Sequence, residues 1–254
     1  MGGQGHHASG LPGGAPSAVS TSHLRRLAQV YDSSSWFDKM MLSMLSLLWF
    51  TALRPGHFSP QSVTPKGLKH MLEWSHGRPY RTKCNGATRD ALHIYVPSNK
   101  TAQKNEQAAW STTVCCICTG IDAGSKERQA LRRVCPTHAL QRWRRVAPLS
   151  TFVFTRPGGQ FCLRESFNRE LRRGLRLALS YLDEAALDTI IAQISAKSFR
   201  SGAATVIVTA GNADFVAADF LGHSDPRITK KYYHKAGDDE RLGVVPSLAS
   251  GLLC

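Results

Sequence analysis

At 254 residues the chain suits one good-sized domain or two small ones, and a composition 42% hydrophobic and 20% charged argues against global disorder. With 32 Lys+Arg against 18 Asp+Glu, a net charge of +14 and a pI near 9.8, it should be drawn to polyanions; charge alone leaves ribosomal, heparin-binding and membrane-surface roles open beside nucleic acid. Seven cysteines, an odd number scattered over a mid-sized chain, argue against a secreted disulfide framework.

The first residues, Met-Gly-Gly-Gln-Gly-His-His, lack the basic-then-apolar plan of a signal peptide. Residues 1 to 22 are rich in Gly, Ser, Pro and His and are expected to form a disordered leader. From His23 the pattern turns helical, with Leu24, Leu27, Val30 and Tyr31 on one side. Asp38 can cap a helix over Lys39 to Leu53 that is apolar nearly all round and therefore belongs in the core. This run is too short to span a bilayer and is broken by Ser43, Ser46 and Thr51, so no membrane partner and an intracellular location are expected. The helix stops at Thr51-Ala-Leu-Arg54-Pro-Gly. Arg54 is a charge carried out of the core at a helix end, which a helix dipole alone would explain.

Short strand-like runs follow at Met71–Trp74, Ala91–Val96 and Ala108–Ile117. The last two flank a polar turn, Pro97-Ser-Asn-Lys100-Thr-Ala-Gln-Lys104-Asn, and read as a hairpin. Cys116-x-Cys118 and Cys135-Pro-Thr-His138 have pair spacings that zinc sites use, but the first pair is tight and buried free thiols are preferred. Phe152-Val-Phe154 is a short buried run before a Gly158-Gly159 turn. A basic helix from Arg164 to about Leu182 gathers Arg169, Arg172, Arg173 and Arg176 on one face, with Arg164 apart; such a face suits DNA phosphates or plain solvent equally.

The stretch from Ala196 to His234 divides into short helical pieces. One ends at Gly211; a second, Ala213 to Leu221, is capped by Asn212 and closed by Gly222; a third is capped by Ser224 with Pro226 in its first turn. Lys197 and Arg200 fall on one helical face, His223 just past a helix end, and Tyr232 and Tyr233 beyond it. Two cations, an imidazole and a phenol in one unit can serve a phosphodiester and a nucleophile.

Lys197-x-x-Arg200, Leu-Gly-His223 and Tyr232 nine residues on resemble the C-terminal signature of the tyrosine recombinase (phage integrase) family, and Thr-Ala-Leu-Arg54 resembles its Thr-Gly-Leu-Arg box. The resemblance implies a mainly α-helical domain with a small antiparallel β-sheet (α+β), of the tyrosine-recombinase catalytic type. That domain is placed at residues 23–245, with 246–254 as a tail. It implies that Arg54 and Arg200 bind the scissile phosphate, that Lys197 and His223 add hydrogen bonds, that Lys100 (Lys104 in reserve) reaches in from the hairpin turn, and that Tyr232 is the nucleophile. Tyr233 is its competitor, and neighbours on a helix point about 100° apart, so only one faces the phosphate. The family usually carries Glu or Asp three residues after the first arginine; here stands His57. Ser-Asn-Lys-Thr, Cys-Pro-x-x-Ala-Leu and Ser-Phe-Arg-Ser-Gly-Ala-Ala-Thr look closest to recombinases of eukaryotic retroelements and transposons.

The chemistry suits the residue types. Arginine forks bind two phosphate oxygens and stay charged, offsetting the repulsion that makes a phosphodiester a poor electrophile. A tyrosine oxygen near cations can form a 3′-phosphotyrosine that a DNA 5′-hydroxyl later reseals, with Lys100 as the acid for the leaving oxygen. No cofactor and no metal are called for, in keeping with the lack of a carboxylate cluster suited to magnesium. The expected function is site-specific DNA recombination in integration or excision of a mobile element. The expected partners are double-stranded DNA and further copies of the chain, a tetramer on two duplexes. Rivals are a type IB topoisomerase or telomere resolvase, and a non-catalytic DNA-binding remnant. The resemblance covers residues 25 to 240, the catalytic domain alone, so a core-binding domain from elsewhere is a possible partner.

Overall fold

The computed structural model describes residues 18–31, 35–84, 87–96, 110–210 and 214–221. Helix α2 (Trp36–Thr51) is its axis: every residue from Met40 to Leu53 is buried. A helix apolar on all sides has no solvent face to offer, so other elements must enclose it. Helices α1 (Thr21–Val30), α4 (Lys126–Val134), α5 (Pro136–Arg144) and α8 (Ala196–Thr209) all pack on it, as does strand β3 (Trp110–Cys115); the one-turn helix α3 (Pro65–Leu68) comes between α2 and the sheet in sequence. Ser43, polar at the centre of this core, donates its hydroxyl to the Ala139 carbonyl of α5 at 2.6 Å. Trp143 of α5 stacks on Phe154 and donates its indole N–H to the Val153 carbonyl at 2.7 Å.

The sheet is three antiparallel strands in the order β1 (Gly77–Cys84), β2 (Ala87–Val96), β3. The hairpin of β2 and β3 is as expected, and its connecting turn with Lys100 and Lys104 lies outside the described residues. Met71–Trp74 is not a strand: Met71 and Leu72 are buried, but only a single bridge, Glu73 to Phe152, pairs the segment. The first strand is Gly77–Cys84 instead, an edge where Pro79 is tolerated because one side of the ladder is unpaired.

Helix α6 (Arg164–Ala178) covers α1 and α8, and α7 (Glu184–Gln193) follows as a separate helix capped by Asp183. The expected single helix to Leu182 thus ends four residues early, at Ala178. Within the expected leader, Ala18–Ser22 are structured. The Val19 amide donates to the Ser198 carbonyl of α8 at 3.0 Å, and Ser20 caps α1. This strap crosses α8 at Gly202, where a Cβ would stand 2.0 Å from the Val19 carbonyl oxygen and 2.8 Å from Trp49 Cζ3. Only glycine permits that approach. Helix α8 is followed by α9 (Asp214–Phe220), close to the expected second piece. No described helix is long and apolar enough to cross a membrane.

Candidate active site

Helix α2 delivers Arg54 through a turn written by Thr51-Ala-Leu. The buried Thr51 hydroxyl donates to the Leu47 carbonyl at 2.5 Å and accepts from the Leu53 amide at 3.2 Å, closing the helix end. Ala52 then takes the left-handed conformation at φ 46°, the one non-glycine residue with positive φ among those described. This is the position at which the family's box carries glycine, and the backbone shows why: a Cβ is strained there. Leu53 is buried, and Arg54 emerges half-buried at the head of a short 3-10 turn, Pro55–His57.

Helix α8 supplies the second cation. Ser195 and Ser198 form a reciprocal cap at its start, and the Ala196 amide donates to Asn168 Oδ1 of α6, fixing where the helix begins. Lys197 is exposed in the first turn and Arg200 lies half-buried one turn on. The Arg200 guanidinium donates from Nη1 to the Ala52 carbonyl at 2.5 Å and from Nη2 to the Leu221 carbonyl. One side chain thereby ties the end of α2, helix α8 and the residue two places before His223. His223, Tyr232 and Tyr233 themselves lie outside the described residues.

His57 stands in the place of the family's carboxylate. It is buried, and its Nδ1 is 2.7 Å from the His70 carbonyl oxygen. A carbonyl only accepts, so Nδ1 carries the proton and Nε2 is left as an acceptor. Its pKa is lowered to about 4, by burial above all and then by the positive charges of His70, Arg54 and Arg200, against the hydrogen bond to His70, which pulls upward. Near neutral pH the ring is therefore neutral. A neutral imidazole beside these arginines cancels none of their positive charge, whereas the family's carboxylate would.

A basic groove adjoins this turn. Arg164, Arg169, Arg172, Arg173 and Arg176 line it together with Gln61, Glu165 and Asn168. Arg164, expected apart from the others, joins them by folding back: its Nε and Nη2 each donate to the Ser59 carbonyl at 3.2 Å. Its Nη2 lies where a Cβ on Gly56 would come within 3.3 Å, so the groove begins two residues from Arg54. Arg173 pairs with Glu170 at 2.8 Å and Arg176 with Asp188 at 2.5 Å, whereas no ion pair among the described residues engages Arg169 or Arg172.

No protein-family model and no curated protein matches the sequence. Solved structures do. The fold is similar to that of the XerH site-specific recombinase bound to difH in a pre-cleavage complex, at 14% identity and TM-score 0.54 over 87% of this chain and 51% of that one. It is similar to the XerA recombinase at 15% identity and TM-score 0.51, over 95% and 66%. It is similar also to the Tn1549 transposon integrase in complex with transposon right-end DNA, at 14% identity and TM-score 0.51, over 90% and 64%. The architecture, mostly helical with a small three-stranded antiparallel sheet, is thus that of the tyrosine-recombinase catalytic domain. The chain spans about half the length of the XerH protein it matches.

Proposed function

We propose that this chain is the catalytic domain of a DNA recombinase that cleaves and rejoins strands through a covalent 3′-phosphotyrosine, serving integration or excision of a mobile element. The observation that carries the reading is the Arg200 guanidinium, bonded at once to the carbonyls of Ala52, two residues before Arg54, and Leu221, two residues before His223 in sequence. These two bonds link α8 to the end of α2 and to Leu221, which supports a phosphate site shared by the three segments.

In this reading Arg54 and Arg200 clamp the scissile phosphate and offset the charge that develops as the fifth oxygen bonds to phosphorus. Lys197 and His223 donate to its non-bridging oxygens. Tyr232 gives up its phenolic proton and attacks phosphorus, the bond to the DNA 5′-oxygen breaks, and Lys100 donates a proton to that oxygen. No step is routed through a metal ion. Arg169 and Arg172 track neighbouring phosphates along the α6 groove. Double-stranded DNA is the substrate, four copies on two duplexes the active assembly, and a helical core-binding domain completes the clamp. The site of action is wherever the DNA is held, the nucleus in a eukaryote and the cytoplasm or nucleoid otherwise.

The test is covalent trapping on nicked suicide duplexes drawn from the flanks of the source locus, resolved on a denaturing gel. An adduct formed by wild type and by Tyr233→Phe but lost in Tyr232→Phe supports the mechanism and its nucleophile together. Loss only in Tyr233→Phe keeps the enzyme and moves the nucleophile by one residue. Clear DNA binding with no adduct in the intact protein would overturn the catalytic reading in favour of a non-catalytic DNA-binding remnant. Adducts formed without exchange between two duplexes would place the protein with the topoisomerases and resolvases.

A further inference from the structure

Away from this site, four potential ligands converge where the sheet meets the helices. Cys116 and Cys118 leave the end of β3, Cys135 is the N-cap residue of α5, and His138 lies in the first turn of α5. Their three sulfurs and one ring nitrogen all lie within 4.8 Å of one another. Cys116 Sγ is 3.8 Å from Cys135 Sγ, while His138 Nδ1 is 3.7 Å from Cys116 Sγ and 3.8 Å from Cys118 Sγ.

Those separations discriminate between the available explanations. A disulfide would need a sulfur–sulfur distance of about 2 Å, and Cys116, Cys118 and Cys135 are all free. Thiols packed as small hydrophobes have no reason to gather around an imidazole nitrogen. A tetrahedral zinc ion, with Zn–S of about 2.3 Å and Zn–N of about 2.0–2.1 Å, requires S···S edges of about 3.8 Å and S···N edges of about 3.5–3.6 Å. Three of the six separations, at 3.7–3.8 Å, lie close to those edges before any ion is added, and all six fall within 4.8 Å. We propose that Cys116, Cys118, Cys135 and His138 form a structural zinc site of the Cys3His type.

Sequence spacing alone favours buried free thiols over zinc, and the zinc reading rests on this convergence. The thiols are indeed buried and unbridged, but spacing could not show that the cap of α5 returns to the end of β3. Three thiols and a zinc ion give three zinc–thiolate bonds and release three protons to solvent, with neutral His138 binding through Nδ1. Cys135 sits at the N-terminus of α5, where the peptide dipoles favour thiolate charge. With four protein ligands the ion has no open position, so its role is to hold rather than to react. It pins the root of β3, the strand returning from the turn that carries Lys100, to α5, which packs on α2. The site stands or falls independently of whether the chain cleaves DNA.

The experiment uses the whole chain, purified without a metal-affinity step from zinc-supplemented medium. Elemental analysis should return one zinc per chain. Replacement by cobalt(II) should give sulfur-to-cobalt charge-transfer absorption with the strong d–d bands of a tetrahedral site. Cys118→Ser and Cys135→Ser should lose the metal, His138→Cys should keep it with a shifted cobalt spectrum, and Cys162→Ala, outside the cluster, should leave stoichiometry unchanged. Stripping with a chelator should lower Tm by several degrees, reversed by zinc. Wild-type protein that is folded and zinc-free, or zinc kept by Cys118→Ser at the level of Cys162→Ala, would overturn the proposal. Should the serine variants fail to fold, the wild-type cobalt spectrum decides, and the absence of sulfur-to-cobalt absorption refutes the site.

Discussion

Protonation of His57 is the perturbation whose cost can be worked from the structure. The folded ring has a pKa of about 4 against an ordinary value of 6.5, chiefly because it is buried. Between those values the unfolded chain binds more protons than the folded one, so stability rises with pH through the window. The contribution is fully present above about 6.5 and is lost as pH falls from there toward 4. At about 1.4 kcal/mol per pKa unit, the whole shift corresponds to about 3 kcal/mol, of which about 2 kcal/mol falls between pH 7 and pH 5. His57→Gln keeps a side-chain donor for the His70 carbonyl and an acceptor, but does not titrate. Urea unfolding of both proteins at pH 7 and pH 5 isolates the residue, because carboxylates elsewhere change alike in each. Wild type should lose about 2 kcal/mol more than the variant over this interval. Equal losses would mean that His57 is not held neutral in the folded chain.

Three further changes probe the frame around the site. Arg200→Lys leaves one ammonium where a fork spans two carbonyls; it should cost about 2 kcal/mol, roughly 4–8 °C in Tm by scanning calorimetry, and an unchanged Tm would show the bridge to be idle. Ala52→Gly removes the strain at φ 46° and should raise stability by up to about 1 kcal/mol in chemical denaturation, a loss contradicting the left-handed assignment. Gly202→Ala drives a Cβ into the Val19 carbonyl and Trp49; a loss of about 1–3 kcal/mol is expected, with faster amide exchange over residues 18–24 if the strap lifts away.

The sequence was most legible where a local rule and a packing demand coincide. The all-round apolar run of α2 allowed only a core helix, and a Thr-x-Leu-Arg end read correctly as its exit. Its start was misplaced because two capping residues compete: Ser35 accepts the Asp38 amide, leaving Asp38 inside the first turn. Strand β1 is not legible in the sequence, because Arg78, Pro79, Arg81 and Lys83 carry no apolar alternation on an edge open to solvent. The available signal was Asn85-Gly86, the strongest two-residue hairpin marker, standing between Cys84 and Ala87 in the register. Met71–Trp74 is the opposite case: Met71 and Leu72 are buried, yet a single bridge to Phe152 is all the pairing the segment makes. The link between Arg200 and the Ala52 and Leu221 carbonyls had no sequence signature at all, since main-chain acceptors are the same in every residue.

That last link governs how the site should be dissected. A guanidinium anchored to two carbonyls is oriented before any phosphate arrives, so less ordering is left to the moment of binding. The same bonds hold α2, α8 and the end of α9 together, so fold and site share one support. Loss of activity in an Arg200 variant therefore cannot be assigned to lost phosphate contacts alone, and a cationic contact not built into the frame is the cleaner probe. Arg169 and Arg172 meet that condition: they line the groove and enter no ion pair among the described residues. Replacing both by alanine should leave Tm within about 1 °C while lowering the salt slope of DNA binding by about 2, close to one unit per phosphate lost. An unchanged slope in the folded variant would remove the α6 groove from the proposed DNA path.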